Sequence, residues 1–348
     1  PDRYIEGECP YCSHEHARGD QCDECGQLLD PEDMGRVQCK LCGGTPELQT
    51  TSHLFFALSH FEKDLNEWMK NKNHWKASVF KFTQNWVKEG LHDRAITRDM
   101  TWGIPVPIEG FEDKRIYVWF DAVIGYLSAS KEWAKRNGDP EKWKQWWENK
   151  DAKHYYFLAK DNIPFHSIIW PSILMGYDTN LQLAYDIPAN EYLRIGGEQF
   201  SKSKGVGVWV PDIISNFDVD SVRYYLSMNM PENKDSNWDW KDFVIKNNDE
   251  LVGTYGNFIH RVISFSEKNF GVIPKPGILD KQDEAVLSEI KKTVKQVQES
   301  LDQCKFKQGL KEIMSLAKKG NIYFNDKEPW KDIKHDKEHC ATTLYVCF

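Results

Sequence analysis

Lys202 and Lys204 sit in the loop Gly196-Gly197-Glu198-Gln199-Phe200-Ser201-Lys202-Ser203-Lys204-Gly205. In extended backbone two lysines two positions apart point the same way. Glycine at both ends lets the main chain approach or swing over a ligand, and ammonium groups suit phosphate. The stretch therefore reads as a lid for a polyphosphate, against the plainer reading of a solvated surface loop. A different chemistry opens the chain. Cys9-Pro10-Tyr11-Cys12 and Cys22-Asp23-Glu24-Cys25 are two tight knuckles whose four thiolates, Cys9, Cys12, Cys22 and Cys25, suit tetrahedral zinc with no open position. A lone Cys-x-x-Cys also reads as a redox pair, but two in tandem between turn residues favour the metal. The third pair, Cys39 and Cys42, lacks thiolate partners nearby. His53 is a candidate extra ligand, with a solvated or capping histidine as the other reading.

These groups need elements to position them. Residues 1 to about 50 are rich in cysteine, glycine and charge, so metal must supply much of their stability. From His53 to Leu91 the pattern is helical, with Phe55, Leu58, Phe61 and Leu65 and then Phe82, Trp86 and Val87 on one stripe. Ile116 to Phe120 and Tyr155 to Leu158 read as buried strands. In open α/β sheets ligands bind beyond the carboxyl ends of strands, which is where Asp121-Ala122 and Lys160-Asp161-Asn162 stand. From Phe243 the chain reads as helices, the stripes being Leu251, Tyr255, Phe258, Val262, then Val286, Ile290, Val294, Val297, Leu301, then Leu310, Ile313, Ala317. Pro274-Lys275-Pro276-Gly277 separates the first two.

At 348 residues the chain has length for two or three domains, and 14 tryptophans fit packed cores. A net charge of −8 excludes coating nucleic acid by bulk electrostatics. Residues 241–348 are slightly basic, with 18 Lys+Arg against 16 Asp+Glu, so any RNA contact is local and made by particular side chains. No apolar run is long enough to cross a bilayer and the first residues do not resemble a signal peptide, which points to a cytoplasmic enzyme.

The loop resembles the second signature, Lys-Met-Ser-Lys-Ser, of class I aminoacyl-tRNA synthetases, with Gln199-Phe200-Ser201-Lys202-Ser203 in its place. Tyr117 to Tyr126, Phe157 to His166 and Trp170-Pro171, in that order, narrow the resemblance to archaeal-type methionyl-tRNA synthetases, over nearly the whole chain. The resemblance implies an α/β fold: a Rossmann-type parallel sheet for nucleotide, an inserted zinc-knuckle segment and an α-helical anticodon-binding bundle. The implied domains are 1–52, the connective insertion; 53–240, the second half of the catalytic fold with the signature loop; and 241–348, an incomplete anticodon domain. The family's first signature, His-Ile-Gly-His, is absent, so the resemblance places about half of the nucleotide fold before Pro1. The apolar end at Thr342–Phe348 likewise reads as cut short.

The family joins methionine to ATP, a substrate carried with Mg2+, releasing pyrophosphate, and then transfers the aminoacyl group to tRNA(Met). On this resemblance Lys202 steadies charge on the leaving pyrophosphate, while Gln199 replaces the first signature lysine. Lys160, Asp161 and Arg98 fall at the nucleotide and amino-acid site, where Lys160-Asp161 could also be a surface ion pair. Trp119, Ala122, Tyr126, Ile163, Phe165, His166 and Trp170 fall on the methionine pocket, for which aromatic walls suit a thioether. Trp119 and Trp170 read equally as core residues, but the polar tips of Tyr126 and His166 need partners when buried. Val123 stands where many members have proline. Asn257, Arg261 and Trp330 match the anticodon readers: an amide, a guanidinium and an indole for unstacked bases. Trp330 also reads as a turn tryptophan packing on the bundle. Two alternatives stay open: a non-catalytic zinc-containing tRNA-binding module, and a ligase of the leucine, isoleucine or valine group, for whose editing domain the compact knuckles leave no room.

Overall fold

In the computed structural model, which describes residues 4–19, 21–27, 29–47, 50–201 and 205–348, the chain divides into two compact units, Pro1–Ala189 and Asn190–Phe348. In the first, β1 (Ile5–Glu8) pairs antiparallel with β2 (Ala17–Arg18) and with β3 (Gly35–Cys39). Among the described residues the buried hydrophobic cluster here is small: Cys9, Ala17, Cys22, Leu29 and Met34. Such a core offers little apolar burial, which is where a metal cross-link counts most.

β4 (Phe55–Phe56) pairs antiparallel with β5 (Arg94–Ala95), and the 3-10 turn Leu58–Phe61, α1 (Glu62–Met69) and α2 (Ala77–Glu89) lie between them. The expected helical stripe thus starts at Leu58. Phe55 belongs to a strand and is 60% exposed, so it never joins the buried face.

β6 (Thr97–Asp99) and β7 (Lys114–Ile116) form an antiparallel pair with Arg98 opposite Arg115. Here the structure corrects the expected strand Ile116–Phe120, which ends at Ile116. The Tyr117 carbonyl accepts from the amides of Phe120 and Asp121 at 3.0 and 3.2 Å, starting α3 (Val118–Ala122). An apolar run alone does not separate strand from helix, and it is the turn at Tyr117 that makes this one helical. α4 (Gly125–Arg136) and α5 (Lys144–Trp147) follow.

The other expected strand, Tyr155–Leu158, is split into β8 (His154–Tyr155) and β9 (Leu158–Ala159). β9 runs into a 3-10 turn, Lys160–Asn162, and a π-helical turn, Phe165–Ile169, leads into α6 (Trp170–Tyr177). β10 (Ala184–Asp186) then returns parallel to β8, so strand, helix and parallel strand form the crossover of a nucleotide-type α/β fold. Leu58, Leu65, Val79, Ile168 and Ile187 are fully buried in the core beneath it, each contributing roughly 1.5–3 kcal/mol of apolar burial.

β11 (Ala189–Asn190) lies at the division between the units. In the second, β12 (Leu193–Ile195) is flanked by antiparallel β13 (Glu198–Gln199) and parallel β14 (Ser236–Trp238). Around it come α7 (Val210–Asn216), α8 (Val219–Met228) and α9 (Trp240–Ile245). A π-helical stretch, Lys246–Gly256, continues into α10 (Asn257–Phe270). The rest is the expected bundle: α11 (Lys281–Asp302), α12 (Phe306–Lys327), α13 (Pro329–His335) and α14 (Lys337–Cys347). α11 begins at a capping box of Asp280 and Asp283. α10 and α12 meet closely at Gly320, where a Cβ would stand 2.7 Å from the Phe258 ring. Among the described residues no helix is long and apolar enough to cross a membrane.

Candidate functional site

The three cysteine knuckles share one backbone design. In each, the first Cys carbonyl accepts from the amide four residues on (Ser13, Gly26, Gly43), and its own amide donates to the carbonyl five residues on (His14, Gln27, Gly44). The turn residue is left-handed each time, with φ of 58, 74 and 69° at Ser13, Gly26 and Gly43. The structure gathers the sulfurs of Cys9, Cys12, Cys22 and Cys25 within 4.8 Å of one another, with Cys9–Cys25 at 3.8 Å and Cys12–Cys22 at 3.6 Å. Four thiolates on a tetrahedral zinc at ~2.3 Å stand about 3.8 Å apart, so the cluster fits that ion and is too open for a disulfide. Burial pushes the Cys22 and Cys25 thiols up, a cost that a bound dication offsets by favouring thiolate. Cys39 and Cys42 are not in the cluster, although their knuckle is formed. Nor is His53, whose Nδ1 lies 3.0 Å from the Thr97 hydroxyl and Nε2 3.4 Å from Asp99.

The π-helical turn after β9 carries Phe165 and His166 into the core, and Ile163 and Trp170 beside them are buried as well. The expected methionine residues largely meet here. Tyr126, on the first turn of α4, is 44% exposed, and its hydroxyl lies 2.8 Å from His166 Nε2. His166 Nδ1 lies 2.9 Å from the Asn162 carbonyl, which can only accept, so Nδ1 carries the proton and Nε2 accepts from Tyr126. Burial lowers the His166 pKa and keeps the ring neutral. Trp170 Nε1 donates to the Tyr156 hydroxyl at 2.9 Å, and the Tyr126 and Trp170 rings are 6.3 Å apart. Trp119 on α3 tilts against Phe165 at 5.8 Å, while Ala122 ends the same helix, exposed. Tyr156 completes the aromatic wall and was missed. Its signal was available, since a tyrosine in a short buried run needs a polar partner.

Arg98 Nη1 donates to the Ala95 and Thr97 carbonyls at 2.8 and 2.9 Å, and its guanidinium covers the Tyr117 ring at 4.1 Å. Arg98 lines a cavity of about 600 Å3 with Trp102, Arg115, Trp119 and Asp121, and a second with Phe56, Arg94, Phe120 and Phe165. Lys160 and Asp161 line neither. They form the 3-10 turn beyond β9, where the Asp161 carbonyl accepts from Gln21 Nε2 at 3.0 Å, and Asp161 Oδ1 is buried without a hydrogen-bond partner. Gln21 also donates to the Gly26 carbonyl at 3.1 Å, tying the second knuckle to this turn.

Lys202 and Lys204 lie outside the described residues. The described ends of their loop have the expected glycine turns, with φ of 60, 85 and 68° at Gly196, Gly197 and Gly205, and the backbones of Ser201 and Val206 exchange hydrogen bonds at 2.8 and 3.0 Å.

In the second unit Asn257, Arg261 and Trp330 converge on α12. Arg261 Nη2 donates to Asn325 Oδ1 at 2.7 Å, and Asn257 Nδ2 lies 3.4 Å from Asn321 Oδ1. The Arg261 guanidinium lies 4.8 Å from the Phe324 ring centre, and Phe324 is 6.1 Å from Trp330, which is 40% exposed. The result is a guanidinium, amides and an open indole side by side, equipped to hold unstacked bases. Asn321 and Asn325 escaped the sequence reading, although amides four residues apart on a helix share a face.

Comparison with known proteins agrees along the chain's length. The model of the tRNA synthetases class I (M) family matches residues 1–263, and that of the anticodon binding domain of methionyl tRNA ligase matches 273–348. A methionine–tRNA ligase of Roseiflexus castenholzii is 48% identical over 99% of this chain and 60% of its own length. One from Dehalococcoides mccartyi is 49% identical over 99% and 62%. The Mycobacterium tuberculosis methionyl-tRNA synthetase in complex with methionyl-adenylate superposes with a TM-score of 0.78 at 25% identity, covering 92% of this chain and 64% of that one. The chain thus spans about 60% of the length of the relatives it matches.

Proposed function

The chain belongs to the tRNA synthetases class I (M), and on that premise we propose that it works as a methionine–tRNA ligase in cytoplasmic translation, activating methionine with ATP and Mg2+ and passing it to tRNA(Met). The observation that carries this reading is the hydrogen-bonded chain Asn162, His166, Tyr126 inside an aromatic wall. It offers a thioether a polarizable, mostly apolar pocket with one fixed neutral polar tip. Trp119, Ala122, Ile163, Phe165 and Trp170 shape that pocket. Arg98, Lys160 and Asp161 serve ATP and the amino-acid head group, and Lys202 serves the departing pyrophosphate. Asn257, Arg261 and Trp330 read the anticodon. The four-cysteine cluster holds zinc as a structural ion, and Gln21 passes its order to the Lys160–Asn162 turn. The domains are assigned as 1–52, 53–240 and 241–348. Methionine-dependent ATP–pyrophosphate exchange together with charging of tRNA(Met) by the full-length ligase tests the proposal. Exchange with leucine, isoleucine or valine instead, or tRNA binding without exchange, refutes it.

A further inference from the structure

Trp330 owes its place to a chain reversal. α12 ends at Lys327, Glu328 adopts a left-handed conformation (φ 45°, ψ 51°), and Pro329 starts α13 with Trp330 second. Lys327 is the residue before that reversal. Its side chain is only 4% exposed, and its ammonium lies 2.6 Å from both Asp280 Oδ2 and Asp283 Oδ1. Asp283 is wholly buried and also accepts from the Tyr323 hydroxyl at 2.7 Å and the Asp280 amide at 3.0 Å. The last turn of α12 is thereby bolted to the first turn of α11. α13 is held from α14 as well: His339 Nδ1 lies 2.6 Å from Asp332 Oδ2, and Cys340 Sγ lies 3.5 Å from the Pro329 carbonyl.

A buried ion pair contributes little stability beyond what apolar residues of the same volume would give, and its best-attested use is to fix one arrangement among alternatives. The arrangement fixed here is the point at which α12 stops. One further residue of helix would turn Trp330 away from Phe324 and from the Arg261 guanidinium. We infer that Lys327, held by Asp280 and Asp283, is a positioning residue for nucleic-acid recognition: it sets the helix end that presents Trp330 beside Asn257 and Arg261. The inference rests on reading that cluster as the anticodon interface.

The test is the affinity of the 348-residue chain for the anticodon stem-loop of tRNA(Met) at several salt concentrations, with melting followed by circular dichroism. Trp330→Ala should weaken binding roughly tenfold to a hundredfold by loss of stacking. Lys327→Met alone strands the Asp283 charge, so the variant measured is Lys327→Met with Asp283→Asn, which removes both charges. Folded, this pair should weaken binding about tenfold and add nothing further once Trp330 is alanine. If the pair does not fold, Asp280→Asn, which keeps the helix cap, carries the same cycle with a smaller loss. Because the Lys327 ammonium is buried against Asp280 and Asp283, the salt slope should stay that of the parent. A slope reduced by about one would make it a direct contact and overturn the inference. Independent, additive losses, or no loss from the pair, would overturn it too. An unchanged affinity for Trp330→Ala would instead sink the anticodon reading itself.

Discussion

Tyr126 donates its hydroxyl proton to Nε2 of His166 at 2.8 Å, and this bond joins the exposed start of α4 to a π-helical turn in the core. In this direction the bond exists only while His166 is neutral, because an imidazolium has no lone pair to accept with and would have to donate to the phenol oxygen instead. His166 Nδ1 is already committed to the Asn162 carbonyl. The ring is thus fixed in one tautomer from both ends, and the direction of the phenol is set with it.

A pH dependence follows. Burial holds the His166 pKa below its usual value of about 6.5, so the folded state binds the proton less readily than the unfolded one. The associated stability is present above that value and is lost as pH falls through the lowered folded pKa. The melting temperature should fall below about pH 6.5, and less steeply in His166→Gln. His154, also lowered by burial, contributes in the same direction, so His154→Gln is measured beside it. At neutral pH Tyr126→Phe leaves Nε2 without its donor and should cost about 1 kcal/mol while weakening methionine binding. A parallel pH profile for wild type and His166→Gln would exclude His166 as the titrating group.

One zinc ion should bind per chain, because the sulfurs of Cys9, Cys12, Cys22 and Cys25 already gather within 4.8 Å of one another, with two pairs at 3.8 and 3.6 Å. Metal analysis of Cys39→Ser with Cys42→Ser should still find that ion, and Cys22→Ser should lose it. Chelation should unfold the β1–β3 segment first, seen as fast amide exchange there, since its apolar core is small. Retention of zinc after Cys9→Ser with Cys12→Ser would transfer the site to the third knuckle.

The knuckles and the helices of the second unit were legible because their signals are local: a Cys-x-x-Cys spacing and a 3.6-residue stripe need nothing distant to be read. Ile116–Phe120 was misread because a short apolar run carries no period that separates strand from helix, and the run turns into α3 at Tyr117. Tyr126 and His166 were expected in one pocket, yet their bond depends on the π-helical turn at Phe165, for which Phe-His-Ser-Ile-Ile offers no pattern. Asn321 and Asn325 were missed because their meaning comes from α10, which Gly320 admits closely enough for Arg261 to reach them.

Arg261→Gln should uncouple the two halves of the reaction. The guanidinium covers Phe324 and grips Asn325, so its loss loosens the face on which Trp330 stands and, on the proposed anticodon reading, removes a base-edge donor. A specific Arg–base contact is worth ~1–3 kcal/mol, hence charging of tRNA(Met) should fall roughly tenfold to a hundredfold. Pyrophosphate exchange needs no anticodon and should hold. Equal losses in both reactions, with a lowered melting temperature, would show that Arg261 serves packing alone.

Lys202→Ala should slow adenylate formation far more than it weakens methionine binding. The described ends of its loop carry left-handed glycines and the Ser201–Val206 backbone bonds, neither of which a change of side chain at position 202 removes. Negative charge on pyrophosphate grows mainly in the transition state, and an interaction made only there lowers the turnover number and leaves the Michaelis constant alone. Gln199 stands where the family signature has its first lysine, so the proposed role rests on Lys202, with Lys204 as the nearest other cation in sequence. By analogy with other oriented donors to developing charge, the loss should be on the order of 3 kcal/mol, or more than a hundredfold in turnover. Lys204→Ala measured beside it should cost much less. Pyrophosphate exchange in the full-length ligase with turnover unchanged in Lys202→Ala would remove Lys202 from this role, and a larger loss in Lys204→Ala would move the role two residues along the loop.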